Sequence, residues 1–110
     1  MIQIKFYSRD PFITGFEISG HCSENYEDTQ GKLICSAVSS AVYLTANTLI
    51  EILKLDVKHE ISDGVMIINV LNFETSECQA ALNGLKLHLF GLRQQYPKQI
   101  KIDDKGDKNA

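Results

Sequence analysis

Two side chains in this sequence have the chemistry of a nucleophile and its base, namely the thiol of Cys35 and the imidazole of His21. A thiol attacks only as its thiolate, and a neighbouring histidine or a helix N-terminus favours that form. An apolar helical period starts at Leu33, which predicts that Cys35 lies in the first turn of a helix. Unpaired backbone N–H groups there would favour a thiolate and also bind an oxyanion.

A polar segment of about a dozen residues separates the two candidate catalytic residues, and loops of that length are usually functional or disordered. His21 ends a predicted strand, and the loop after it can bring the imidazole beside Cys35. Ser39 follows Cys35 by four residues, so it lies on the same helical face and its hydroxyl can hold the thiol or the imidazole. These residues together make a thiol enzyme a candidate function.

Each of these residues also has an ordinary structural explanation, which the residues alone leave open. A cysteine early in a helix is commonly a small buried hydrophobe, and a histidine at a strand end is commonly a surface or capping residue. Ser39 also fits a close helix contact. Cys22, next to His21, would need two further ligands to hold a metal ion, and no spacing in the sequence supplies them. We therefore expect no metal and no cofactor.

The other cysteine and histidines are predicted to be structural. Cys78 falls in the apolar stripe of the second helix, His59 in a hairpin strand, and His88 beside a leucine face. Three cysteines without a C-x-x-C pair argue against a disulfide framework and a thiolate zinc site.

Charge and hydropathy restrict the partners and the compartment. The net charge is −3 and the basic residues are scattered, which argues against nucleic acid as the main ligand. No apolar run approaches the roughly 18 residues of a membrane span, and the N-terminus alternates instead of forming a signal peptide. We therefore expect a cytoplasmic protein without membrane contact.

Hydrophobic periodicity predicts the element order ββαββαβ. Asp63-Gly64 between two β-branched runs is a strong hairpin signal, and Pro97 stops the second helix. The predicted boundaries are strands 2–7 and 12–19, a helix from 33 to about 54, strands 57–61 and 65–71, a helix from 75 to 96, and a strand 99–103.

Two hairpins and two helices predict an α+β sandwich, in which both helices cover one face of a mostly antiparallel sheet. The chain has 110 residues, enough for one domain. We place that domain at residues 1–104 and expect residues 105–110 to form a polar tail.

The residues around the candidate dyad also resemble a known signature. Gly20-His21, a polar loop and the segment 33–39 (Leu-Ile-Cys-Ser-Ala-Val-Ser) are similar to the motif of the ribosomal-processing cysteine protease family, Prp or YsxB-like. The similarity extends over the whole chain through the element order, the length, the Asp-Gly hairpin and the ending Gln-Tyr-Pro-Lys-Gln-Ile-Lys-Ile.

The resemblance implies specific roles and a substrate. Cys35 would be the nucleophile, His21 the base, and Gly20 and Ser39 supporting positions. The protein would be a cytoplasmic homodimer that removes the N-terminal extension of large-subunit ribosomal protein twenty-seven during ribosome assembly. The alternative is a ribosome-associated binding module of the same fold that has lost catalysis.

The sequence departs from the family pattern at three points, of which Lys32 and a longer loop favour that alternative. Lys32 stands where the family usually has an aspartate. The loop before Cys35 is about two residues longer than usual, with Gly31 offset by one, and Cys22 replaces the common alanine. Asp28 is a candidate for the missing carboxylate.

The long polar segment has a predicted function of its own. Residues 23–30, here called the acidic loop, have neither helical nor strand period and little apolar area to offset their ordering entropy. We expect this loop to be mobile in the free protein and to order over bound substrate as a lid, the alternative being a permanently disordered linker. The predicted gating residues are Ser23, Glu24, Glu27 and Asp28. The three acids would attract a basic ribosomal precursor.

Overall fold

The element order of the computed structural model is ββαββαβ, which confirms the sequence prediction. The structure describes residues 1–20 and 29–106. The elements are β1 (Ile2–Arg9), β2 (Phe12–Gly20), α1 (Thr29–Asn47) continued by a π-helical turn (Thr48–Ile52), β3 (Val57–Ser62), β4 (Val65–Val70), α2 (Ser76–Gln95) and β5 (Ile100–Gly106).

The five strands form one sheet in the order β3-β4-β2-β1-β5. Neighbouring strands are antiparallel except β1 and β5, which run parallel with Ile2 opposite Ile100. The predicted Asp-Gly turn joins β3 to β4, and Gly64 has a φ of 79°, a conformation in which a side chain is strained. The last strand reaches Gly106, three residues past its predicted end at 103.

The core lies between the sheet and the two helices. Alternate residues of β1 and β4 point to the helix-covered face, as the period-two pattern predicts. One apolar cluster joins both helices to the strands, which confirms the α+β architecture. Its most deeply buried large side chains include Ile4, Phe6, Phe16, Ile68, Leu49, Leu82 and Leu89.

Helix α1 differs from its prediction at both ends. It begins at Thr29, four residues before the apolar period starts at Leu33. At its other end the π-helical turn adds a residue to the helical repeat and rotates the following side chains about the axis. Ile52, three residues after the buried Leu49, is therefore 74% exposed. Lys54, with a φ of 52°, lies just after the end of the turn.

The continuous helix Thr29–Ile52 also corrects the expectation that no segment approaches the length of a membrane span. It has 24 residues and a mean hydropathy of 1.6 over its most apolar window, so it is long and apolar enough to cross a membrane. The core helix of a folded domain meets the same measure. Here 33% of that window is buried, and Val38, Val42 and Leu49 belong to the cluster shared with the sheet.

Helix α2 follows its prediction closely. The hydroxyl of Thr75 caps the N-terminus by accepting a hydrogen bond from the N–H of Cys78 at 3.2 Å. Cys78 is fully buried, which confirms its predicted place in the core. The side chain of Gln79 then ties α2 to the sheet, because its Nε2 donates to the carbonyl of Ile13 at 2.8 Å and its Oε1 accepts from the Ile13 N–H at 2.9 Å.

Candidate active site

A cavity of about 260 Å³ opens beside α1, over the end of β2 and the β3–β4 hairpin. Three of the residues singled out in the sequence, Gly20, Cys35 and Ser39, lie in its wall. The other lining residues are mainly apolar: Ile2, Ile18, Ser19, Val42, Tyr43, Ile61, Gly64 and Met66. The fold therefore gathers residues from β1, β2, α1 and the β3–β4 hairpin around one thiol.

The thiol and the serine hydroxyl share one stripe of α1. Cys35, Ser39 and Tyr43 follow each other at four-residue intervals, so they lie on one side of the helix and all three line the cavity. Cys35 is half-buried and packs against the core, whereas Ser39 is exposed. A half-buried thiol in an open cleft is accessible to a reactant and still held by its neighbours.

The helix start changes the electrostatic argument for Cys35. Counting from Thr29, Cys35 is the seventh residue of α1, so it lies in the second turn and not in the first as predicted. Unpaired N–H groups and the helix dipole act mainly within the first turn of a helix, so they favour a thiolate at Cys35 less than predicted. The predicted first-turn oxyanion site at Cys35 is therefore wrong. Thiolate formation must depend more heavily on a neighbouring base.

Gly20 has a clear geometric reason to be glycine. Its φ is +87°, and a Cβ at this position would lie 2.3 Å from the carbonyl oxygen of Met1. A side chain here would force apart the paired ends of β1 and β2. Gly20 thus fixes the direction in which the chain leaves the sheet, immediately before His21.

The predictions for His21 and Cys22 and for the lid residues Ser23, Glu24, Glu27 and Asp28 lie outside the described residues. Within the described part, Lys32 is exposed in the first turn of α1, three residues before Cys35. Gly31 beside it is buried.

The other described cysteine is placed very differently. Burial raises the pKa of the Cys78 thiol, which keeps it in the unreactive protonated form, and Cys78 does not line the cavity. Among residues 1–20 and 29–106, no group of three or more His, Cys, Asp or Glu is arranged to hold a metal ion.

Among the cavity residues that the sequence did not single out, two large side chains are more than half exposed. Tyr43 is 52% exposed and Ile61 is 58% exposed, and they stand on α1 and β3 respectively. The spacing of eight residues after Cys35 was a signal for Tyr43, since two four-residue steps keep a residue on one helical face. Ile61 gave no such signal, because a β-branched residue in a strand predicts only burial.

Comparison with known proteins supports a protease family. The family model described as "Cysteine protease Prp" matches residues 1–101. A crystal structure of the essential ribosomal processing protease Prp from S. aureus, in complex with a covalently linked product peptide, is 18% identical with a TM-score of 0.85. The match covers 96% of this chain and all of that one.

A second solved structure is similar to the same extent. SMU.848 from Streptococcus mutans is 23% identical with a TM-score of 0.84, over 97% of this chain and 99% of that one. A comparison with curated protein sequences finds no match. At these identities the structural likeness establishes the fold.

Proposed function

The chain belongs to the cysteine protease Prp family, and on this premise we propose that it is a cysteine endopeptidase with Cys35 as nucleophile and His21 as base. The observation that carries the proposal is the position of Cys35. It is the cysteine of the family-like segment 33–39, and its half-buried side chain lines a cleft with Ser39 and Gly20.

The proposed reaction passes through an acyl-enzyme. The Cys35 thiolate attacks the scissile carbonyl carbon, and an S–C bond forms as the carbonyl electrons move to oxygen. When the tetrahedral intermediate collapses, the C–N bond breaks and the His21 imidazolium donates its proton to the leaving amine. His21 then takes a proton from water, whose oxygen displaces the Cys35 sulfur and frees the new carboxylate.

Ser39 is the polar side chain of the cleft best placed to support this chemistry. It follows Cys35 by one helical turn and carries a hydroxyl, which can donate a hydrogen bond to the thiolate or accept one from the imidazole. Because Cys35 lies beyond the first turn of α1, this support matters more than it would at a helix N-terminus.

We further propose that the substrate is a ribosomal protein precursor, large-subunit protein twenty-seven with its N-terminal extension. A similar S. aureus structure, 18% identical with a TM-score of 0.83, is described as a ribosomal processing protease in complex with a substrate peptide. An extended peptide also suits an open cleft at the edge of a sheet better than a compact ligand does.

A synthetic peptide spanning the extension and the first mature residues of that ribosomal protein, taken from the same genome, tests this function. Mass spectrometry should show one cut at the mature terminus and, at short times, an acyl adduct on the peptide that contains Cys35. A peptide that binds but is never cut would favour the catalytically inactive binding module.

The compartment and the assembly follow as parts of the same proposal. Ribosomal precursors are made in the cytoplasm, so we place the protein there, which cell fractionation tests.

We also propose a homodimer that packs through the helix layer, where α1 and α2 leave an apolar groove of about 560 Å³ lined by Ala41, Leu44 and Gly84 among others. Light scattering of the wild type and of Leu44→Glu should give twice the monomer mass and the monomer mass, respectively.

A further inference from the structure

Two large apolar side chains form the end of the cleft that lies farthest along α1 from Cys35. Neither is buried in the hydrophobic core. Tyr43 and Ile61 are both more than half exposed, yet both line the same cavity as Cys35. Single exposed hydrophobic residues are ordinary on a protein surface. Two of them on opposite walls of one cavity, beside a candidate nucleophile, form a binding feature.

The position of Ile61 follows from the topology of the sheet. β3 is an edge strand, and Ile61 pairs with Met66, whose side chain is buried on the helix-covered face. Paired residues share a face, so Ile61 points to the helix side as well. The helices do not cover this edge, and every β3 residue except Val57 is exposed. Ile61 therefore lies on the helix side of the sheet edge, where it is 58% exposed.

Tyr43 lines the same cavity from the helix. It lies eight residues after Cys35, about 12 Å along the axis at the usual helical rise. Helical side chains lean toward the helix N-terminus, so a long side chain at this position extends back toward Cys35. Met66, Ile18 and Val42 complete an apolar lining between the two walls.

The size of the cavity limits what it can hold. Pockets for drug-sized ligands usually measure roughly 300–1,000 Å³, and this one is about 260 Å³. It therefore accommodates one or two side chains of a peptide. The 12 Å between Cys35 and Tyr43 corresponds to about three or four residues of extended chain at the usual rise.

We propose that Tyr43 and Ile61 are specificity-determining residues, which form the walls of a pocket for a large apolar side chain within about four residues of the scissile bond. The nature of the occupant, an extended peptide, rests on the proposed function. The pocket itself rests on geometry, because both walls and Cys35 line one cavity.

Disulfide exchange at Cys35 tests the pocket without any need for catalysis. Two probes are used, both disulfides of cysteamine with an N-acylcysteamine that carries either an acetyl or a 4-methylpentanoyl group. The Cys35 thiolate attacks the acylated half, a new S–S bond forms, and the cysteamine thiolate leaves. The measured quantity is the concentration of 2-mercaptoethanol that halves labelling of the peptide containing Cys35.

We expect the larger acyl group to withstand at least about tenfold more reductant than acetyl. Each fully buried methylene strengthens association by roughly fourfold, and the larger probe adds four carbons that the open pocket covers only in part. Tyr43→Ala and Ile61→Ala should bring this ratio close to one. Leu87→Ala, a control on α2 that removes an even more exposed apolar side chain (74%) outside the cavity, should leave this ratio unchanged.

The outcomes separate the pocket from the proposed function. A ratio near one in the wild type, or a ratio unaffected by both wall substitutions, overturns the pocket even if the ribosomal peptide is cut. Failure of both probes to label Cys35 also overturns it, since the cleft would then exclude a chain of this size. A high ratio that falls in the Tyr43→Ala and Ile61→Ala variants supports the pocket. If the same protein cuts no peptide, the proposed protease function is contradicted while the pocket stands.

Discussion

Cys35→Ala should lower the peptidase activity, whereas Cys78→Ala should lower the free energy of unfolding. The two effects differ because the same atom is removed from two different environments. Cys78 is fully buried in α2 and Cys35 is half-buried in an open cleft. Each substitution deletes one sulfur and leaves the backbone and helix propensity favourable. The pair therefore serves as its own matched control.

The structure sets the size of each effect. For Cys78→Ala, the lost transfer free energy is about 0.8 kcal/mol for a methylene-sized group, and a residual cavity of about 20 Å³ adds about 0.5 kcal/mol. The total of about 1.3 kcal/mol corresponds to a fall in Tm of about 5–8 °C. For Cys35→Ala, water can fill the space, so the free energy of unfolding should change by less than about 0.5 kcal/mol. Its kcat/KM should fall by at least about 10³-fold.

The assays are a peptide-cleavage time course and urea unfolding at 25 °C. Far-UV circular dichroism follows unfolding, since the chain has no tryptophan. Wild-type turnover by Cys35→Ala would refute the assignment of the nucleophile. A Cys78→Ala protein that folds but does not cleave the peptide would contradict the assignment of Cys35, and not Cys78, as the nucleophile.

Four further changes test the dyad, the acidic loop and the fold. His21→Ala should abolish cleavage and slow the reaction of Cys35 with iodoacetamide near neutral pH, whereas an unchanged rate would mean that the two residues are not paired. Neutralising the three acids of the acidic loop should lower kcat/KM mainly at low salt. If this variant keeps full efficiency, and the loop gains no hydrogen-exchange protection when peptide binds, the lid hypothesis is wrong. Gly15→Ala should destabilise the fold by about 3 kcal/mol or more, because the new Cβ would lie 2.1 Å from the Ile68 carbonyl oxygen. Gly91→Ala in α2, outside the proposed dimer groove and with nothing within 4 Å of the new Cβ, should stabilise the fold by about 0.5–1 kcal/mol in the same urea assay.

Periodicity predicted the elements well where one physical cause dominates. The alternation in β1 and the leucine stripe of α2 each reflect a single buried face, and the Asp-Gly turn reflects the positive φ that Gly64 adopts. In all three the pattern and the fold agree. In β2 the alternation fails, because four successive residues (13–16) are buried. An irregularity in the β1–β2 register between Tyr7 and Ser8 lies next to this stretch, and residue spacing alone does not reveal it.

The site was only partly predictable for a similar reason. Cys35 and Ser39 carry recognisable chemistry and a four-residue spacing, so their shared cavity was foreseeable. The start of α1 was not foreseeable, because residues 29–32 are polar, include a glycine and show no apolar period. Ile61 became a cleft residue only through the strand order, which leaves β3 beyond the reach of the helices.

The parallel pairing of β1 with β5 has a consequence for how the molecule assembles. Ile2 and Ile100 are partners although they are 98 positions apart, whereas Ser19 and Val65 of the β2–β4 pair are 46 apart. Each doubling of a closed loop costs only about 0.6 kcal/mol of chain entropy, but contacts between distant residues slow folding markedly. The two hairpins can form locally, and the β1 edge stays open until residues near position 100 return to it. We therefore expect the pairing of β5 with β1 to be a late step in folding, and until then β1 presents an unpaired backbone edge to any other extended chain.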